Sequence, residues 1–114
     1  MGLINFQKLE KRYQADPDFP QDILETFINR MPTYLQYVKR SLLQKDIEGL
    51  LCYSSQLRGI AKRCCVEKLI ELCVLLESQV EAKKFSDAEE TLNNMQVILE
   101  SLENTYPTNL SYLL

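Results

Sequence analysis

Apolar residues recur through this chain at steps of three and four, and nowhere do they alternate with period two. That regularity constrains the fold more than any other feature. A helix turns one face to the core every 3.6 residues and a strand every second residue, so the pattern excludes a sheet. Successive stretches carry it: Leu24, Phe27, Met31, Leu35, Val38 and Leu42; then Ile47, Leu50, Ser54, Leu57, Ala61 and Cys64. Val66, Leu69, Cys73, Leu76 and Val80 follow, then Ala88, Leu92, Met95, Leu99, Leu102 and Tyr106. With only 3 glycines and 4 prolines among 114 residues, little is left for loops, which favours few, long elements.

The boundaries can be placed from capping chemistry. Asp18 and Gln21 fit a capping box, with Pro20 in the first turn where its missing N–H costs nothing. The helix that follows contains Pro32, which predicts a bend rather than a break, and it ends near Gln44–Lys45. Asp46 is a good N-cap for the next helix. Ser54, small and on its inner stripe, lets another helix approach closely, while Ser55, about 100° further round, faces outward.

The third long helix is expected over Val66 to about Lys83. Ile70, Leu72 and Leu75 widen its apolar face, which predicts that it is the most buried. Ser86 and Glu89 form a second capping box for the last helix, and Pro107 stops it. A short helix over residues 3–14 should lie across the body, and the apolar tail 108–114 should pack back on it. Connections of two to four residues force antiparallel neighbours. The expected fold is therefore all-α, an antiparallel up-down-up-down four-helix bundle with a short extra N-terminal helix. It is one domain over 1–114, with its core at about 18–107.

Composition excludes several functions. A net charge of -3 gives no basic stripe for nucleic acid. No run approaches the roughly 18 apolar residues of a membrane span. The N-terminus, MGLINFQKLEKRY, carries neither a signal peptide nor the myristoylation pattern, so a cytoplasmic location with no membrane association is expected. Cys52, Cys64, Cys65 and Cys73 form no C-x-x-C, and the chain contains no histidine. No metal and no cofactor is expected, and the cysteines, three of them among apolar neighbours at helical spacing, read as small buried hydrophobes in a reducing compartment.

The segment Ser54-Ser55-Gln56-Leu57-Arg58-Gly59 resembles the histidine-containing phosphotransfer (HPt) domain family. That family carries alanine-histidine-x-leucine-lysine-glycine, then a glycine-alanine pair and a leucine-rich run ending in leucine-glutamate. Ser54 stands for the alanine and Ser55 for the histidine. Leu57 and Gly59 match, and Arg58 keeps the charge of the lysine. Cys65 takes the place of the later glycine and Val66 that of the alanine, and Leu69, Leu72, Cys73, Leu76 and Glu77 continue the match. Upstream, Phe27, Met31-Pro32, Leu35 and Asp46 resemble the family's first long helix and the turn after it. The resemblance spans roughly Ile23 to Tyr106.

The resemblance implies a phosphorelay domain whose acceptor is gone. An imidazole is nucleophilic near neutral pH, whereas a serine hydroxyl needs a base to take its proton, and Ser55 has no histidine to serve it. The chain is therefore expected not to be an enzyme. Its expected role is a pseudo-HPt protein that binds the receiver domain of a response regulator, or a sensor histidine kinase, without accepting phosphate. Ser55, Arg58, Gly59 and Lys62 should form an outward strip with Cys52 and Gln56 beside it, and Arg58, Lys62 and Arg63 a cationic patch suited to an acidic receiver pocket. The alternative is a helical scaffold or adaptor unrelated to phosphorelays. The tail and the Tyr34–Tyr37 region leave a monomer or a weak homodimer as the expected state.

Overall fold

The computed structural model of the chain describes residues 19–105. These form four helices: α1, Phe19–Leu43; α2, Ile47–Arg63; α3, Glu67–Glu81; and α4, Phe85–Thr105. There is no strand among the described residues. The helix expected over 3–14, the cap at Asp18, Tyr106, Pro107 and the tail 108–114 lie outside them. No described helix is long and apolar enough to cross a membrane.

α1 runs through Pro32 as one helix. Its end and the ends of α2 and α3 share one hydrogen-bonded hook. Lys45 N–H reaches Leu42 C=O at 3.0 Å, and Asp46 N–H reaches Ser41 C=O at 2.8 Å. Cys65 to Lys62 (3.2 Å) with Val66 to Ala61 (3.0 Å), and Lys83 to Val80 (3.0 Å) with Lys84 to Gln79 (2.8 Å), repeat the pattern. This is the Schellman arrangement, which satisfies carbonyls that a helix end otherwise leaves bare. Its pivot must be left-handed, and Lys45, Cys65 and Lys83 have φ of 54°, 57° and 59°. None of the three is glycine, the residue that adopts this conformation without strain.

The starts of the helices are less uniform. Asp46 caps α2 as expected, its Oδ1 accepting from Gly49 N–H at 3.0 Å. A Cβ on Gly49 would run into the Asp46 carboxylate and Ser41 Oγ, so this glycine is required by the cap itself. α3 starts after Val66, which is buried and makes no side-chain cap. α4 starts earlier than the Ser86–Glu89 box predicts. Its first bond, Ala88 N–H to Lys84 C=O at 3.0 Å, puts Ser86 inside the first turn. The hook at Lys83 fixes that start.

Each helix packs on the next, and α4 closes on α1. Phe27, Met31, Val38, Leu50, Leu57, Leu69, Leu76, Met95 and Leu102 are wholly inside, as the three-and-four stripes require. Each such side chain contributes roughly 1.5–3 kcal/mol. One residue of α3 departs from expectation: Leu75 is 46% exposed, and its neighbour Val74 is 52% exposed. α3 packs mainly on α2 and α4, and Leu69, Leu72, Cys73, Leu76 and Val80 already fill its inner face. The seams carry polar and aromatic ties as well. The Tyr37 and Tyr53 rings lie 4.9 Å apart across α1 and α2, and Thr91 Oγ1 donates to Gln79 Oε1 at 2.6 Å across α3 and α4. The Lys45 ammonium sits 5.6 Å from the centre of the Phe85 ring, joining the first link to the start of α4.

Candidate functional site

Helical spacing puts Ser55, Arg58, Gly59 and Lys62 at i, i+3, i+4 and i+7, one stripe of α2. Ser55, Gly59 and Lys62 are exposed, as are Cys52, Gln56 and Arg63 on either side. The Gln56 amide donates to Cys52 Sγ at 3.2 Å, which holds that edge in place.

Arg58 behaves differently from the rest of the strip. It leans toward α3, where its Nε donates to Glu77 Oε2 at 3.1 Å and its Nη2 to Glu77 Oε1 at 3.2 Å. The two side chains are only 30% and 15% exposed. Buried Ser54 donates a further bond to Glu77 Oε2, also 3.1 Å. The expected cationic patch is thereby altered. Arg58 is matched by a carboxylate, and its planar fork suits that bidentate pairing. Lys62 and Arg63, the other two cations of the expected patch, lie exposed at the C-terminal end of α2.

Gly59 has no counterpart to the crowding at Gly49. A Cβ built on it meets no atom within 4 Å. Glycine in a helix interior costs about 1 kcal/mol relative to alanine, and nothing inside this fold requires it there.

Sequence reasoning found only half of this face. On α3, Val74, Glu77, Ser78 and Glu81 form a second stripe at the same i, i+3, i+4, i+7 spacing. Arg58 and this stripe line a shallow groove of about 350 Å³. The signal available in the sequence was that spacing, with one apolar and two acidic residues off the buried stripe of α3. A second hollow, of about 250 Å³, lies between α1 and α4, lined by Pro32, Lys39, Gln96 and Glu100 among others, and takes in no residue of the α2 strip.

The thiols are placed for packing. Cys64, Cys65 and Cys73 are buried and Cys52 is exposed, and none of the four is in a disulfide. Burial, then the neighbouring Cys65, pushes the Cys64 thiol up to about 12, against a smaller opposing effect of Arg63. Burial likewise pushes Cys73 up to about 12; hydrogen bonding with Ser54 and the Arg58 charge oppose this, while Glu77 adds to it. A thiol held protonated is a poor nucleophile. Among the described residues no group of His, Cys, Asp and Glu side chains is gathered so as to hold a metal ion.

Comparison with family models, with curated proteins and with solved structures returns no match for this chain.

Proposed function

We propose that the chain is a degenerate HPt domain, an antiparallel up-down-up-down bundle that docks a receiver domain or a sensor histidine kinase. It would modulate a phosphorelay in the cytoplasm without taking up phosphate. Two features support the lineage. Cys65 stands where the family carries a glycine, and its φ of 57° is the conformation that favours glycine. Glu77, where the family's leucine-glutamate falls, receives the pairing of Arg58, the residue in place of the family's lysine. The up-down order is supported by links of three residues, 44–46, 64–66 and 82–84, each closed by the same hook.

The observation that carries the docking reading is Gly59. It is exposed, it lies mid-helix, and nothing in the fold occupies the space a side chain would take. Its energetic cost is met if a partner approaches the backbone there. The non-catalytic half follows from chemistry. Ser55 is the residue in the acceptor position, and its neighbours on the stripe, Arg58 and Lys62, are cations that do not remove its proton.

The test is a calorimetric titration of the chain against receiver domains and histidine kinases from the same cell, repeated with Gly59→Gln. Glutamine suits a helix and meets nothing internally, so the variant should fold at least as well as the parent. Binding to one of these domains that weakens at least roughly tenfold in the variant supports the proposal. Binding to none of them, or equal binding by both proteins, leaves a helical scaffold as the better description.

A further inference from the structure

Arg58 is the one residue of the α2 strip that lines a groove otherwise formed by α3. We propose that Val74, Ser78 and Glu81 complete the docking face. They would select a partner helix bearing an apolar side chain and, two turns further on, a lysine or arginine. The inference rests on the docking reading for its purpose but on different residues for its content.

The floor of the groove is the Arg58–Glu77 pair, whose charges balance. An acidic partner therefore gains little from Arg58. Of the charged residues lining the groove, Arg58 contributes +1 and Glu77 and Glu81 -1 each, so the sum is -1. Glu81 forms no ion pair among the described residues and is the last residue of α3, whose final turn has no basic side chain. A carboxylate at the negative end of a helix is unfavourably placed, and a cation brought to it from outside relieves that. Lys83 and Lys84 follow in the link, and neither pairs with it.

Val74 supplies the apolar contact. It is 52% exposed and lines the groove beside Arg58. Val74 and Glu81 are seven residues apart, about 10 Å along the axis at 1.5 Å per residue. A second helix lying along the groove matches that distance with residues at the same seven-residue spacing, as helix-in-groove partners do.

The probes are two alanine- and glutamine-based helical peptides. Both carry one leucine; seven residues on, one carries lysine and the other glutamate. Amide shifts of the full chain are followed by heteronuclear NMR up to millimolar peptide. The expected result is shifts centred on Arg58, Val74, Ser78 and Glu81, with the lysine peptide binding at least about tenfold more tightly. Glu81→Lys should reverse the preference, and Val74→Ser should weaken both peptides. Both substitutions are at exposed positions, so the fold survives them. Equal binding by the two peptides, no binding, or shifts confined to another face would overturn the inference. So would occupation of this face by a second copy of the chain. The two proposals fail separately. If a receiver binds but ignores Glu81→Lys, only this inference falls. If the lysine peptide binds and no receiver or kinase does, only the phosphorelay reading falls.

Discussion

Arg58 and Glu77, 19 residues apart in sequence, meet as a two-pronged ion pair at 3.1 and 3.2 Å that fastens α2 to α3. Ser54 joins the same carboxylate, so removing Glu77 strands a half-buried guanidinium and a buried hydroxyl together. Glu77→Ala should therefore lower stability by about 1–3 kcal/mol, read as a shift in urea midpoint. The double variant Arg58→Leu with Glu77→Leu should recover part of that loss, because no charge is then left without its partner. A double variant as unstable as the sum of its singles would mean that the two side chains do not act on each other.

The two described glycines should respond to alanine in opposite directions. Gly59→Ala meets open space within a helix and should stabilise by about 1 kcal/mol. Gly49→Ala drives a methyl group into the Asp46 carboxylate and Ser41 Oγ and disturbs the cap, so it should destabilise by about 1 kcal/mol or more. Thermal melts of the pair, run side by side, check the sign of each.

Lys83→Gly should stabilise the chain by about 0.5–1 kcal/mol. Lys83 holds a φ of 59°, is exposed, and uses its backbone, not its side chain, in the hook that ends α3. Chemical denaturation of the variant is the measurement, and a loss of stability would contradict the left-handed geometry.

The thiols give a reactivity and a pH prediction. At pH 8 one thiol, Cys52, should react quickly with a disulfide reagent, and the other three only as fast as the chain unfolds. Cys64 and Cys73 are raised from the ordinary thiol value of 9.0 to about 12, so the folded state holds protons that the unfolded state releases. Their contribution is intact below about 9 and is lost as pH climbs toward about 12, at roughly 1.4 kcal/mol per pH unit for each thiol. Denaturant midpoints measured across pH 8–11 should fall accordingly, and fall less in Cys73→Ala once its own lower stability is subtracted.

The helices were legible in the sequence because burial follows a local period. Ile47, Leu50, Ser54, Leu57, Ala61 and Cys64 were assigned inward from spacing alone; Ile47 is half-buried and the other five are buried. Asp46 was legible because a cap acts over three residues. What stayed hidden depends on longer range or on backbone geometry. The width of a stripe does not say how many neighbours a helix has, so Leu75 read as core and stands half in solvent. Ser86 and Glu89 have the composition of a cap, but the hook at Lys83 had already set where α4 begins, and lysine does not advertise a left-handed turn. Arg58 looked like a free surface cation because its partner sits on the next helix. Glu81 and Val74 went unread for the same reason: a groove belongs to two helices at once.

The three hooks govern more than the ends of the helices. Each link is pinned by short backbone bonds at a pivot whose conformation is sterically confined, so adjacent helices have little freedom to slide or splay. The face made by α2 and α3 is then already in its final shape before any visitor arrives. Recognition on such a face spends almost nothing on rearrangement, and free and bound backbones should superimpose to within about 1 Å.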